Sequence, residues 1–138
     1  MNAGRAWIDT GALVALASPR DQYHARALAV VRSRHAPGHE WVSSVLVLGE
    51  FHRLVLHRAG PAPARAAVGR LLADPANRWL EVGTAEVSGA ASAWLERFPD
   101  QDYSLTDAVS FELMRREGIV EAFGFDRHYV TAGFRLLG

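Results

Sequence analysis

The stretch from Ser104 to Asp126 limits the folds open to this chain more than any other. It predicts a helix that begins at Ser104, a good N-cap residue, with a carboxylate three positions later at Asp107 in an arrangement close to a capping box. Gly118 ends this helix after two arginines, which the helix dipole favours at that end. Residues 122–125 are apolar and largely aromatic, as in a buried strand, and Asp126 follows where that strand ends. In open α/β sheets, ligands bind outside the carboxyl ends of the strands, which is where Asp126 is expected.

Strand-like and helix-like segments alternate along the whole chain. Besides 122–125, strands are predicted at 5–8, 41–43, 78–82 and 134–137. Besides the helix that begins at Ser104, helices are predicted at 12–17, 21–34, 45–58, 62–73 and 85–98. This alternation predicts an α/β fold, a three-layer α/β/α arrangement with a mainly parallel sheet. The length of 138 residues, without any linker-like stretch, predicts one domain over residues 1–138.

Composition excludes several classes of protein and of site. No stretch of about 18 apolar residues is present, so no membrane-spanning helix is predicted. Residues 1–5 contain no apolar core of a signal peptide. Cysteine is absent, which removes disulfides and thiolate zinc sites, and these features together favour a cytoplasmic protein. The formal net charge is zero and therefore gives no indication of bulk attraction to nucleic acid.

Four carboxylates fall at or near one predicted edge of the sheet. Asp9 and Asp126 each follow directly after a predicted strand. Asp107 lies in the first turn of a predicted helix, and Glu50 lies in the first turns of the helix after the second strand. Because the carboxyl ends of parallel strands meet at one edge of a sheet, we expect these four side chains to converge.

Two of these acids also have simpler explanations. Asp9 is well placed to cap the helix that follows it, and one residue can both cap a helix and bind a ligand. Glu50 could form an exposed ion pair with Arg53, three residues further on. The ligand interpretation is favoured for Glu50, because a carboxylate on a mostly apolar helix face is costly unless it is paired or metal-bound.

Four converging carboxylates would repel one another. Two unit charges about 4 Å apart cost on the order of 4 kcal/mol at an effective dielectric constant near 20. Such a cluster therefore requires that some acids hold protons or that a divalent cation neutralises them. Carboxylate oxygens without cysteine suit Mg²⁺ or Mn²⁺. Hydrolysis of a phosphodiester by a metal-activated water is a common use of such a site.

The ordered set of acids resembles the PIN-domain family. Asp9 lies in W-I-D-T-G-A-L, Glu50 in L-G-E-F, Asp107 in S-L-T-D-A and Asp126 in F-G-F-D-R-H. No single one of these motifs is specific, but the series extends over nearly the whole chain. Within the family, the chain looks most like the VapC-type ribonuclease toxins of VapBC toxin–antitoxin pairs.

The resemblance implies both a fold and an activity. It implies a parallel five-stranded sheet and a metal-dependent endoribonuclease that hydrolyses RNA, is inhibited by a small antitoxin protein and often forms a homodimer. Asp9, Glu50, Asp107 and Asp126 would hold Mg²⁺ or Mn²⁺ and form the catalytic site. Two alternatives stay open: a PIN-fold nuclease that processes RNA without being a toxin, and a catalytically silent module that binds RNA or protein. Intact carboxylates at all four positions count against the silent module.

The resemblance also implies supporting residues around the acids. Thr10 and Ser104 would be hydroxyl neighbours that orient the acids or a water molecule. Asp102 is an extra acid nearby, which either supports the site or is a solvated loop carboxylate, and the second is favoured. His128 follows Asp126 closely and could contact a phosphate, although an exposed surface position is the simpler expectation.

Two other folds that place an aspartate after a strand fit less well, and so does an RNase H-like fold. A receiver-type phosphotransfer domain needs a lysine, and this chain has none. A haloacid-dehalogenase-type domain would carry a second aspartate two residues after Asp9, where Gly11 stands. An RNase H-like fold begins with consecutive hairpin strands, whereas a predicted helix follows Asp9 directly.

Overall fold

A computed structural model describes residues 4–138. Residues 1–3, part of the segment considered above for a signal peptide, lie outside the described residues. One sheet is formed by the strands β1 (Arg5–Ile8), β2 (Glu40–Ser44), β3 (Asn77–Leu80), β4 (Glu121–Phe123) and β5 (Arg135–Leu137). Their order across the sheet is β3-β2-β1-β4-β5, and every neighbouring pair is parallel. The predicted α/β class and parallel five-stranded sheet are confirmed.

Seven α-helices connect the strands. They are α1 (Thr10–Ala17), α2 (His24–Ser33), α3 (Val45–Ala59), α4 (Pro61–Ala73), α5 (Thr84–Ala90), α6 (Leu105–Glu117) and α7 (His128–Thr131). A π-helical segment, Ala91–Glu96, continues α5. No helix within residues 4–138 is both long enough and apolar enough to span a membrane.

The direction of the crossovers explains the three layers. The chain moves outward from β1 to β2 and β3, then returns to the other side of β1 for β4 and β5. Crossovers of the usual right-handed kind place their helices on opposite faces when the direction reverses. In agreement, α1 packs on α2 and α3, and α3 packs on α4, whereas α5 packs on α6.

The middle of the sheet forms the centre of the core. Ala6, Trp7 and Ile8 of β1 are buried, as are Ala122 and Phe123 of β4. Both faces of these strands are covered by helices, and their sequences are therefore continuously apolar rather than alternating. The outer strand β3 is only half-buried. Its predicted bounds, 78–82, differ from Asn77–Leu80, and those of β4, predicted at 122–125, differ as much from Glu121–Phe123.

Local hydrogen bonds set the helix ends. Ser44 is the N-cap of α3 and accepts a hydrogen bond from the Val47 amide at 3.4 Å. Gly118 ends α6 in the left-handed conformation, with φ of 69°, as predicted. The start of the second helix was predicted wrongly at 21, because the Asp21 carboxylate accepts from the Tyr23 amide at 2.9 Å and holds a turn there.

Two further predictions about helices were wrong. The helix predicted at 85–98 is instead α5 followed by the π-helical segment, and Gly83 is its N-cap residue. Residues 128–131, for which no helix was predicted, form the short helix α7. This second difference matters for function, because α7 carries two side chains that contact the predicted acids.

Candidate active site

The site lies where the strand order reverses, between β1 and β4. The Asp9 amide donates to the Phe123 carbonyl at 2.9 Å, which ties the end of β1 to the end of β4. The helix α1 begins immediately afterwards at Thr10. Crevices at such a switch point are the usual ligand sites of open α/β sheets.

The structure places all four predicted acids around one pocket of about 290 Å³. Asp9, Glu50, Asp107 and Asp126 line it, and Thr10 lines it as well. The four side chains come from the end of β1, from α3, from the first turn of α6 and from the segment after β4. Segments distant in sequence therefore contribute to a single acidic pocket.

Asp9 is held by a side chain that sequence reasoning missed. Asp9 occupies the N-cap position of α1, but its side chain makes no capping hydrogen bond. Instead its Oδ1 accepts from the Tyr129 hydroxyl at 2.8 Å. Tyr129 is fully buried in α7, so this bond is shielded from water. The capping explanation for Asp9 is thus replaced by a buried hydrogen bond to α7.

Burial raises the pKa of Asp9 from 3.8 to about 6. The hydrogen bonds from Tyr129 and the Thr10 amide act in the opposite direction, while the charges of Asp107 and Glu50 raise the pKa further. A charged Asp9 side chain is therefore unfavourable in this partly dry pocket, first because it is buried and then because other acids lie beside it. A cation in the pocket would remove part of that cost.

Asp107 is fixed by a reciprocal cap with Ser104. The Asp107 amide donates to Ser104 Oγ at 3.0 Å, and the Ser104 amide donates to Asp107 Oδ2 at 3.0 Å. The predicted capping box is confirmed. Ser104 does not line the pocket, so it orients Asp107 through its backbone amide, while its hydroxyl is used for the cap.

Glu50 does not form the simple ion pair considered for it. Glu50 and Arg53 both lie in the described part of the chain, and no ion pair joins them there. Arg53 is exposed, whereas Glu50 is half-buried and lines the pocket. The turn of α3 that carries Glu50 therefore directs its carboxylate toward the other acids.

His128 was expected at the surface, and this expectation was wrong. Only 25% of its side chain is exposed, because α7 begins directly after Asp126 and turns the imidazole back over the acids. Its Nε2 lies 2.7 Å from Asp102 Oδ1, and its Nδ1 lies 3.2 Å from Asp107 Oδ2 and 3.4 Å from Asp126 Oδ1. The His128 amide also donates to Asp126 Oδ1 at 2.9 Å.

The three surrounding carboxylates raise the pKa of His128. Burial lowers its pKa, but the hydrogen bond to Asp102 and the charges of Asp126 and Asp107 outweigh burial, so the pKa is raised. Asp102 is 92% exposed, which agrees with a solvated loop carboxylate, yet its hydrogen bond to His128 lowers its own pKa. A cationic imidazole thus offsets part of the repulsion among the acids.

Gly124 allows Asp9 to lie where it does. A Cβ atom at this position would lie 3.2 Å from Asp9 Cβ and 3.7 Å from Asp9 Oδ2. A side chain at 124 would therefore require Asp9 to shift by a few tenths of an ångström. The sequence shows Gly124 in F-G-F-D, but only the paired ends of β1 and β4 show that the residue lies against Asp9.

A test of the buried hydrogen bond is the substitution Tyr129→Phe. It keeps the ring and removes the donor to Asp9, so we expect the free energy of unfolding at pH 8 to fall by about 1.5–3 kcal/mol, as for other hydrogen bonds to a charged group. Urea unfolding in excess chelator measures this loss. Tyr103→Phe is the control, since Tyr103 donates no side-chain hydrogen bond within the described residues. Equal losses in both variants would show that the Tyr129–Asp9 bond contributes nothing.

Comparison with known proteins identifies the family. The family model of the PIN domain matches residues 6–134. The chain belongs to the PIN-domain family. It is 34% identical over 128 residues to the 23S rRNA-specific endonuclease VapC20 of Mycobacterium tuberculosis, and the match covers 93% of this chain and 94% of that protein.

Two solved structures share this fold. The crystal structure of M. tuberculosis VapC20, a sarcin-ricin loop cleaving toxin, superposes with a TM-score of 0.82 at 32% identity, over 94% of this chain and 95% of that one. VapBC2 from Rickettsia felis, bound to a DNA fragment from its promoter, gives a TM-score of 0.69 over 96% of both chains. Its identity is only 9%, so this second likeness concerns the fold alone.

Proposed function

We propose that this PIN-domain chain is a divalent-metal-dependent endoribonuclease and the toxin of a VapBC-type pair. Residues 1–138 would form one domain that acts on RNA in the cytoplasm. The observation that carries the proposal is the convergence of Asp9, Glu50, Asp107 and Asp126 on one pocket at the switch point of the sheet. The VapC20 relative, a 23S rRNA-specific endonuclease by name, supports the same activity.

The chemistry of the pocket fits Mg²⁺ or Mn²⁺. Its acids supply the carboxylate oxygens that hard cations prefer. Among these acids, Asp107 and Asp126 offer carboxylate oxygens that lie within 4.8 Å of each other. The Thr10 hydroxyl, buried beside the pocket, has no hydrogen-bond partner among the described residues. Buried polar atoms rarely stay unpaired, so this hydroxyl indicates that a water or ligand belongs there.

The four acids divide into two pairs in this proposal. Asp9 and Asp107 would hold the cation, because both are fixed by hydrogen bonds from Tyr129 and Ser104 and keep lone pairs for a metal. Glu50 and Asp126 would complete the set from the other sides of the pocket. When bound, the cation would supply positive charge for the phosphodiester and acidify a water molecule.

His128 has a different part, which follows from its contacts. The imidazole touches Asp107 and Asp126 on the side of the acids that faces the Asp102 loop. It therefore fixes the position of these two carboxylates relative to each other, while the Asp126 side chain stays 45% exposed. Asp102 supports His128 rather than the acids directly, because its Oδ1 contacts only the imidazole Nε2 among the described side chains.

Metal removal is the first test of the proposal. We expect purified protein to cleave RNA with Mg²⁺ or Mn²⁺ and to lose the activity in excess chelator. We also expect Mn²⁺ at about 100 times its dissociation constant to stabilise the fold by about 2.7 kcal/mol. This stabilisation is measured by thermal unfolding without RNA, so it tests binding separately from cleavage. Equal cleavage with and without chelator would contradict the metal requirement.

An antitoxin is the second part of the proposal. We expect a small protein, encoded beside this chain, to bind it and to block access to the acidic pocket. Co-expression of the two reading frames should yield a complex whose RNA cleavage is suppressed at equal protein concentration. Size-exclusion chromatography would also show whether the free chain forms a homodimer. A co-expressed neighbour that leaves this chain free and fully active would favour an RNA-processing nuclease that is not a toxin.

A further inference from the structure

A second groove adjoins the acidic pocket, and it has the opposite charge. This basic groove, of about 730 Å³, is lined by Tyr23, Arg26, Phe125, Arg127 and Arg135, together with smaller and apolar residues. No aspartate or glutamate side chain of residues 4–138 lines it. Tyr23 and Phe125 line the acidic pocket as well, so the two cavities share one aromatic wall.

Two of the three arginines in the basic groove have no acidic partner. Arg135 lies 3.2 Å from Glu121, a carboxylate that Arg34 also contacts at 2.8 Å. Within the described range 4–138, neither Arg26 nor Arg127 forms an ion pair, and both side chains belong to exposed residues. The positive charges of both arginines are therefore available to a ligand. They lie beside a pocket whose acids would repel any polyanion.

Arg26 is also held in place. The rings of Tyr23 and Phe125 stack with their centroids 4.3 Å apart and their planes 9° apart. The Arg26 guanidinium carbon lies 5.4 Å from the Tyr23 centroid and 5.3 Å from the Phe125 centroid. Because it is almost equidistant from two parallel rings, the guanidinium lies beside their edges and packs against the pair, which limits its movement. A fixed guanidinium is well suited to a phosphate group, which it can bind through two parallel N–H donors.

We propose that the basic groove binds the RNA backbone next to the phosphodiester that is cut, with Arg26 and Arg127 contacting phosphates of neighbouring nucleotides. This inference rests on the proposed nuclease function. The volume of the groove is within the range of sites for small organic ligands, which is sufficient for a nucleotide. The shared wall of Tyr23 and Phe125 places the groove directly beside the acidic pocket, as one strand that contacts both requires.

The charge arrangement also explains how a chain of zero net charge can bind RNA. Binding of phosphates is driven by local arginines and by release of counterions, and it does not require a high net charge. The acids are gathered in one pocket, and the unpaired arginines lie directly beside it. A strand can therefore be held in the groove while one of its phosphates reaches the acids.

The test compares the double variant Arg26→Ala/Arg127→Ala with Arg32→Ala. Arg32 is exposed on the same helix as Arg26, six residues later and thus on a different face, and it does not line the groove. The probe is a labelled single-stranded RNA oligonucleotide. Cleavage is measured with Mn²⁺, and binding is measured in excess chelator over a range of salt concentrations.

We expect the double variant to raise KM at least tenfold and to leave kcat within about twofold, because remote phosphate contacts stabilise substrate and transition state equally. We expect the slope of log affinity against log salt to become shallower by about 1.4, since each lost phosphate contact on a single strand contributes about 0.7. Arg32→Ala should match the unmodified protein in both measurements. Arg26→Gln/Arg127→Gln keeps more of each side chain and should reproduce the change in slope if the alanine variant unfolds.

Each outcome separates this proposal from the nuclease proposal. An active enzyme whose KM and salt slope do not change in the double variant overturns the groove and leaves the nuclease intact. A fall in kcat alone, with unchanged binding, also overturns the groove. If the double variant loses RNA affinity with the expected change in slope but the unmodified protein never cuts RNA, the groove stands as a binding site and the nuclease proposal fails. Failure of the unmodified protein to bind RNA at low salt overturns the groove.

Discussion

Asp107→Asn is expected to lower the rate of RNA cleavage by on the order of 10³-fold or more, as substitutions of residues that act directly on the reaction do. The asparagine removes one negative charge from the pocket but keeps nearly the same shape. Its side-chain oxygen can still accept from the Ser104 amide, which Asp107 Oδ2 does at 3.0 Å. The cap of α6 should therefore persist, and the loss should arise from the pocket rather than from unfolding. Initial cleavage rates with Mn²⁺ measure the effect.

A matched control makes the result specific to the pocket. Asp100→Asn removes the same charge from an exposed position in the loop before α6, away from the residues that line the pocket. It should cleave RNA at a rate within about twofold of the unmodified protein, as expected for a surface change that touches no reacting group. Circular dichroism and the melting temperature confirm that both variants are folded. An Asp107→Asn protein that retains full activity would remove Asp107 from the catalytic site.

Asp9→Asn is expected to raise the stability of the metal-free protein at pH 8 by up to about 3 kcal/mol, since each unit of pKa difference corresponds to about 1.36 kcal/mol. The pKa of Asp9 is about 6 in the folded state, against 3.8 for an unperturbed aspartate. Between these two values the folded chain binds more protons than the unfolded chain, so stability falls as the pH rises through this window. Above pH 6 the folded state bears the full cost of the buried charge.

The pH dependence distinguishes this mechanism from a general gain in packing. Asparagine is neutral at every pH and can still accept from Tyr129, so its advantage should be largest at pH 8 and should vanish near pH 4. His128 titrates in both proteins, and its contribution cancels in the difference between them. Urea unfolding in chelator at a series of pH values measures the difference. With Mn²⁺ at about 1,000 times its dissociation constant the order should reverse, because binding then stabilises the unmodified protein by about 4.1 kcal/mol and the variant lacks one of the proposed ligands.

A suitable control for the stability experiment is Glu96→Gln. Glu96 is exposed, and its carboxylate contacts only the Ser92 hydroxyl, at 3.4 Å. We expect a change within about 0.5 kcal/mol at every pH, as for most surface substitutions. A stability difference between Asp9→Asn and the unmodified protein that is the same at pH 4 and pH 8 would contradict the role assigned to the Asp9 charge.

The parts of the fold that could be predicted are those encoded locally. Ser104, Asp107 and Gly118 mark the ends of α6 by their own hydrogen bonds and backbone conformation, so the sequence around them is sufficient. The positions of Asp9 and Asp126 follow from the ends of two buried strands and from the rule that parallel strands share a ligand-binding edge. Their placement in one pocket therefore needed no side-chain geometry.

The parts that could not be predicted depend on contacts between distant segments. The Tyr129–Asp9 bond joins residues separated by 120 positions, and no local pattern indicates such a partner. His128 was misjudged because the four-residue helix α7 is too short to give a periodic pattern, although it decides the direction of the imidazole. Tyr23, just before α2, likewise stacks on Phe125, just after β4, and these two residues meet only in the folded chain.

The hydrogen bonds that hold Asp9 have a consequence for the chain while it is being made. Asp9 is made well before its backbone partner Phe123 and its side-chain partner Tyr129. A nascent polypeptide that stops short of these residues lacks Asp126 and cannot assemble the acidic pocket. A chain that is still being translated therefore lacks the complete site on which the proposed cleavage of RNA depends.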